Sequence, residues 1–406
     1  MPSASLRTAR RSAGAVFAVH GAVTGSFATR IPWLQEHLEL STGQLGVALA
    51  FPALGASLAM PLASRVLHRY GALAAVRRLL VLWCLALALP ALAPGLVTLC
   101  AALAVFGATA GMCDVAMNAQ GVEVELGYGR SIMSGLHGLW SVGALLGSAA
   151  GVLVVHLGLD ARIHLTAAAL VLAVLAPPAG RGLLDIRPAP GEAAPPRFAL
   201  PPRSALLIGA VGMCAVLAEG ASMDWSGVYL RSITGASETV AAASYTAFAC
   251  TMATARLAGD AVVRRLGPVR TVRLSGALAT LGGLLAVTAS TPAAGVAGFA
   301  LIGMGIAVVV PLAFAAAGNS GPRPSQAIAG VATITYTTGL LAPTLIGLIG
   351  ELSSLRVSFA VVTAATALLM LSAGVLARGS RSTVAAAGPE SDGGGHPAHG
   401  LGEEGR

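Results

Sequence analysis

The sequence predicts an all-α membrane protein whose twelve transmembrane helices divide into two six-helix halves, and three observations carry that prediction. Of the 406 residues, 55% are hydrophobic and only 10% are charged, whereas a soluble domain carries roughly 25% charged residues. Apolar stretches long enough to cross a hydrocarbon core about 30 Å thick recur at intervals of roughly 25 to 35 residues. The basic residues, 25 in number and all arginine, gather in the short connections on one side of those stretches.

Taken in order, the apolar windows place spans near 12–32, 43–63, 78–94, 97–120, 132–157 and 161–179. A second set follows near 205–230, 238–258, 272–290, 293–316, 326–350 and 355–377. The first window begins behind a basic start, "MPSASLRTARRSAG", which also suits a cleaved signal peptide. It reads better as an uncleaved span, because the apolar stretch continues to Pro32 and the even span count needs it. In the fifth span Gly143, Gly147 and Gly151 recur every fourth residue and predict a close helix contact. Many of the 51 glycines lie inside apolar stretches, as expected of helices that pack through small residues in lipid.

These windows set the domain organisation. Residues 1–11 form an N-terminal segment, 12–179 the first six-helix half, 180–204 a linker rich in proline and charge, 205–377 the second half, and 378–406 a tail with nothing to bury, expected to be disordered. Four arginines, Arg30, Arg162, Arg231 and Arg356, fall on one side of the predicted membrane; the other 21, counting Arg256 at a span end, fall on the other. The positive-inside rule then puts both termini in the cytoplasm of a protein of the inner or plasma membrane.

Composition also narrows function. The net charge of +8 could suggest nucleic acid, but it is spread through inter-span loops and reads as a topology signal. The five cysteines all lie in apolar runs and form no CxxC or Cys/His ligand spacing, so no metal or cofactor is expected. There is no Walker loop, dinucleotide fingerprint or HExxH, which argues against an enzyme and against an ATP-driven pump.

Two loops echo each other: "PLASRVLHRYGALAAVRRL" at 61–79 and "ARLAGDAVVRRLGPVRTVRL" at 255–274. With the twelve spans and the six-plus-six division, the segment "GDAVVRRLGPVR" resembles the loop signature of the major facilitator superfamily of secondary transporters. That resemblance implies three-helix repeats within each half and makes Asp260, Arg264, Arg265 and Arg270 gating-loop candidates. In the first copy Ser64 and Arg65 stand where Gly and Asp are expected. The stretches 114–151, 219–230 and 28–46 are similar to a bacterial branch loosely related to fucose permease-like symporters. Relatives of that kind carry a carboxylate in the fourth span followed four residues later by Asn, which Asp114 and Asn118 match. They also carry an acid in the first span, where this chain has His20.

Ionisable groups at membrane depth are costly and are functional candidates by default. Asp114 and Asn118 share a helical face and suit a water-filled path, while Glu123 and Glu125 sit near the helix end as solvated charges that could pair with Arg130 or Arg69. In the fifth span His137 and Ser141 share a face beside Trp140: a proton-exchanging imidazole next to a flat aromatic wall, or alternatively packing and interfacial groups. Glu219 lies about 22 Å along its helix from the linker. A carboxyl group buried in hydrocarbon favours its neutral form and can carry a proton. Asp224 and Trp225 could form a substrate edge, or Asp224 could pair with Arg231. Tyr336 stands in a hydroxyl-rich eleventh span with Gly339 and Pro343 as bend points.

The reading that results is a secondary transporter of a small polar solute, working by alternating access. Asp114, His137 and Glu219 are its proton-coupling candidates, and Asn118, Trp140, Ser141, Asp224, Trp225 and Tyr336 its substrate-binding candidates. A drug or metabolite exporter and a non-transporting membrane sensor or assembly component are the alternatives. The expected partners are the solute, protons and the lipid bilayer, with a monomer as the expected state and no nucleic acid.

Overall fold

A computed structural model describes residues 3–128, 132–185, 203–318 and 324–375. The predicted linker and tail therefore fall largely outside the described residues. Fourteen helices account for the twelve spans: α1 (Ser3–Ala28), the short α2 (Ile31–His37), α3 (Thr42–Tyr70), α4 (Ala72–Ala86), α5 (Leu96–Tyr128), α6 (Met133–His156) and α7 (Ala161–Ala179) in the first half. The second half holds α8 (Arg203–Thr234), α9 (Glu238–Leu266), α10 (Pro268–Val287), α11 (Pro292–Ile306), α12 (Val309–Gly318), α13 (Pro324–Leu352) and α14 (Leu355–Ser372). Helix α2 caps the exit of the first span, and α11 with α12 make up the tenth span, broken at Ala307 and Val308. Nine spans among the described residues are long and apolar enough to cross a membrane on length and composition alone. The remaining three, α1, α9 and α10, reach 26, 29 and 20 residues but include polar and basic side chains.

The two halves repeat one another in local detail. Both α3 and α9 run for 29 residues, each from a serine N-cap: the Ser41 hydroxyl accepts from the Gln44 amide and the Ser237 hydroxyl from the Val240 amide. Each ends on one glycine, Gly71 at φ 75°, ψ 154° and Gly267 at φ 77°, ψ 161°, a backbone conformation closed to side chains with a Cβ. The next helix starts on the following residue, so each loop is a one-residue hinge. Matching Gly71 to Gly267 sets Ala63 opposite Gly259 and Ser64 opposite Asp260, one residue earlier than the loop sequences alone suggest. The same register puts Met60 opposite Arg256.

Helix contacts run through glycine. On α1 a Cβ at Gly21 or Gly25 would collide with the carbonyls of Trp140 or Ala144, and on α6 a Cβ at Gly143 or Gly147 would collide with those of Ala18 or Ala22. The predicted contact of Gly143, Gly147 and Gly151 is thus a reciprocal interlock with α1, and Thr29 just past its end covers Gly151. Lipid gives apolar side chains no reason to leave it, so dispersion contacts at this distance are what hold the helices together.

The halves meet most closely at the face opposite the arginine-rich loops. There Gly46 of α3 touches Gly347 of α13: a Cβ on Gly46 would lie 2.9 Å from the Gly347 Cα. The Thr344 hydroxyl donates to the Gly46 carbonyl at 3.3 Å, and the Gly43 amide donates to Glu351 Oε2 at 3.0 Å. Arg231 Nε of α8 pairs with Glu36 Oε1 of α2 at 2.6 Å. Those two side chains keep 31% and 44% of their exposure, so Arg231→Gln should cost less than about 1 kcal/mol, seen as a small thermal shift at physiological salt that vanishes at 1 M. A loss that persists at high salt would mean that the pair does more than bridge two exposed side chains.

Candidate functional site

The junction of α6, α8 and α9 is built on one arginine. Arg256 lies ten residues before the end of α9, inside the bundle, so its place among the loop arginines of the topology count is corrected. Its Nη2 donates to Glu219 Oε1 on α8 at 3.1 Å, its Nη1 to Ser141 Oγ on α6 at 3.3 Å, and its Nε to the Ala307 carbonyl at 3.3 Å. The last contact has a local cause. Pro311 has no N–H to give the carbonyl four residues earlier, which is that of Ala307, and the freed oxygen in the α11–α12 break finds the guanidinium instead. Glu219 is thus ion-paired, and Arg256 ties the second half to Ser141 of the first. The pair is partly accessible, at 22% for Arg256 and 28% for Glu219.

Beside it runs an aromatic and imidazole cluster. The Trp140 indole N–H donates to His20 Nδ1 at 3.0 Å, and the Trp83 indole N–H donates to the His20 carbonyl at 3.3 Å. His20 stacks on Trp83 with ring centroids 5.2 Å apart, and Phe17 meets His137 edge-on at 5.2 Å. Accepting at Nδ1 leaves the neutral His20 ring its proton on Nε2, a buried atom with no hydrogen-bond partner among the described residues that faces the Ala110 backbone of α5. Trp140 is therefore oriented by the first span, through a histidine that takes the place of the expected acid.

The polar groups of α5 separate. Asn118 Nδ2 donates to both the carbonyl of Asp114 (2.8 Å) and its Oδ1 (3.1 Å), so this amide is engaged on its own helix. Gln120, buried to 1%, clasps the backbone of Leu184 by giving Nε2–H to the carbonyl (2.6 Å) and accepting the amide at Oε1 (3.2 Å), which fastens the chain leaving α7. Glu125 accepts the amides of Ile132 and Met133 at 2.6 and 2.9 Å. It thereby caps the start of α6, with its carboxylate on the positive end of the helix dipole, where a solvated charge was expected.

Further along α8, Asp224 is half-buried, with Tyr245 of α9 within electrostatic reach of it, of Glu219 and of Arg256. The expected Asp224–Arg231 pair is absent, since Arg231 turns to Glu36 and to the Ala236 carbonyl. Trp225 is fully buried with its ring edge over Gly347, which makes it core packing in this arrangement and not a cavity edge. Arg264, Arg265 and Arg270 are exposed around the Gly267 hinge. Asp260 and Tyr336 lie on α9 and α13, with side chains outside the described residues.

Two voids flank the ion pair. On one side a space of about 20 Å³, room for roughly one water, is enclosed by Trp140, Ser141, Glu219 and Tyr245 with Met223 and Met252 among its walls. On the arginine-rich side a cavity of about 410 Å³ is lined by His137, Arg256 and largely apolar residues of α6, α9, α12 and the α11–α12 break. Asp114, Asn118 and Asp224 line neither. A larger space of about 530 Å³ between α1, α6 and α7 is almost wholly apolar and borders the lipid-facing surface, away from these groups.

A family model described as Major Facilitator Superfamily matches residues 13–323. The chain belongs to this superfamily. It is 35% identical to an uncharacterised transporter of Sinorhizobium fredii, over 91% of this chain and 99% of that one. It is 36% identical to an uncharacterised superfamily-type transporter of Yersinia pestis, over 89% of this chain and 93% of that one. The crystal structure of a single-residue variant of the nucleoside transporter NupG superposes with a TM-score of 0.73 at 14% identity, over 90% of this chain and 99% of that one. These likenesses make the protein a multi-pass membrane transporter of the superfamily, with its twelve-helix fold.

Within that superfamily fold, sequence reasoning names Glu219, His137, Trp140 and Ser141 but misses what joins them. Pro311 offers a signal, because a proline inside an apolar span always frees one carbonyl. Arg256, set four residues before Asp260 and closer to the membrane middle than any loop arginine of that cluster, offers another.

Proposed function

We propose that the protein is a proton-coupled secondary transporter that moves a small solute by alternating access around the Arg256–Glu219 pair. One observation carries the reading: the Arg256–Glu219 pair of the second half is tied across to Ser141 of the first, with a void on each side, so movement of the halves must break the Arg256–Ser141 bond and change what surrounds the pair. The closed contacts of Gly46, Gly347, Glu351 and Arg231 lie on one face, while the larger cavity lies toward the other. We assign the arginine-rich face to the cytoplasm, which makes this arrangement inward-facing.

In this scheme Glu219 alternates between its ion pair and a protonated state. Around the Arg256–Glu219 pair stand Tyr245 from α9 and Ser141 and His137 from α6, with Asp224 of α8 within electrostatic reach of Tyr245. Separating Arg256 from Glu219 leaves a charge without a partner, and a proton or a bound solute offsets that cost. Coupling arises because neither half-step is favourable alone. Asp114, held by Asn118 away from both voids, is in this reading a second proton site and not a solute contact. Relatives with a known cargo, such as the nucleoside transporter, suggest a solute of that general size.

The test is a thermal-stability screen of sugars, nucleosides and carboxylates on purified protein, followed by uptake of the stabilising solute in proteoliposomes. Uptake should accelerate under an imposed pH gradient, and Glu219→Gln should lose that response. A Glu219→Gln protein that still responds fully would remove Glu219 from coupling.

A further inference from the structure

We infer that the solute is an amphipathic organic anion, a small monocarboxylate with an apolar body, whose carboxylate binds Arg256 from the 410 Å³ cavity. The inference rests on the transporter reading above and names the cargo of the same site. No carboxylate is among the described residues lining this cavity. Its polar side chains are Arg256 and His137, and the rest of its wall is apolar, with Met133, Val263, Val308, Leu312 and Phe314 prominent. A wall of that kind gives a sugar's hydroxyls nothing to bond, and stripping water from them there would be unfavourable.

Arg256 has the capacity for such a ligand. A guanidinium carries five N–H groups, and among the described residues the bonds to Ala307, Ser141 and Glu219 use three, leaving two for a ligand. Two of those three bonds are long, at 3.3 Å, and weakly held. A carboxylate accepts two parallel N–H bonds from a guanidinium, which a neutral amide or alcohol cannot match in strength. The His137 ring, which makes no hydrogen bond to a described residue, lies on the same cavity and is a further donor for the second oxygen. The cavity volume falls within the ~300–1,000 Å³ range typical of small-molecule sites. Binding links to coupling directly: a substrate carboxylate on Arg256 replaces Glu219 as its counter-charge and frees Glu219 to take a proton.

The experiment compares 3-phenylpropionate with its neutral isostere 3-phenylpropionamide, using thermal stabilisation of the full-length protein in detergent and then uptake in proteoliposomes. The carboxylate should bind at least about tenfold more tightly than the amide. That preference should vanish in Arg256→Gln/Glu219→Gln, which removes both charges and leaves no lone ion to unfold the protein, and survive in Arg11→Gln, which changes an exposed arginine of α1 that does not line the cavity. Equal stabilisation by the amide, stabilisation by xylose or a nucleoside in place of the acid, or no stabilisation by either probe overturns the inference. Gradient-driven uptake of a neutral solute would overturn the anion assignment and leave the transporter reading standing. Arg256-dependent binding of the acid without any gradient-driven flux would uphold the site and overturn the transporter reading.

Discussion

Arg256→Met should destabilise the protein and stop transport, although methionine is what the first half carries at the corresponding position, Met60. The substitution removes the partner of Glu219 and reopens the Ala307 carbonyl left by Pro311. Breaking a buried pair by deleting one partner typically costs about 3–5 kcal/mol. Residual exposure of 22% and 28% lowers that to roughly 1–3 kcal/mol. Thermal unfolding in detergent measures the loss. A second variant separates stability from function: Arg256→Met/Glu219→Leu has no lone charge and should regain most of the stability without regaining transport. If the double variant is no more stable than the single one, the pair is not the source of the loss. If it transports with its pH response intact, neither residue belongs to the mechanism.

That asymmetry between Met60 and Arg256 shows what sequence reading can and cannot reach. The spans are legible because lipid imposes a local requirement: each must be apolar over about 20 residues, and its backbone must close on itself as a helix. The glycine pattern of α6 is legible for the same reason, as a spacing on one helix. The partner of a buried group is not. Sequence alone puts Arg256 at a span end because the apolar window of the eighth span stops at 258, whereas the helix runs on to Leu266 and carries the guanidinium into the interface. Spacing places Asp114 and Asn118 on one face, but the bond of Asn118 back to its own helix depends on rotamers that spacing does not determine. Glu125 reads as a solvated charge because its partners, the amides of Ile132 and Met133, belong to the start of α6, whose place beside α5 only tertiary structure gives. In sequence His20 marks only the absence of an acid; packing reveals that it orients Trp140.

The second large effect concerns the interlock of α1 and α6. Gly143→Leu should leave little folded protein, and Gly143→Ala should already be severe, because the first atom added collides with a main-chain carbonyl, that of Ala18. A side-chain neighbour could rotate aside, but a helical carbonyl is held by its own hydrogen bond. The two helices must instead separate along the whole contact, since Gly21, Gly25 and Gly147 are set at the same close distance. Separation forfeits dispersion that lipid cannot replace at that geometry. It also shifts Trp140, whose carbonyl covers Gly21 and whose indole holds His20, so the fold and the site fail together. Overpacking of well-packed cores costs about 1–3 kcal/mol even where side chains can adjust. Gly220→Ala is the matching control: it lies inside α8, a Cβ there meets nothing within 4 Å, and helix propensity favours alanine by roughly 0.5–1 kcal/mol. Fluorescence-detected size-exclusion chromatography and thermal midpoints would rank the variants. Gly143→Ala should give a lower yield and midpoint than Gly220→Ala, and equal behaviour of the two would show that α1 and α6 can separate without loss. The same experiment tests why α1, the span least apolar at its start, holds its place in the bundle: backbone contact with α6 supplies what its basic residues do not.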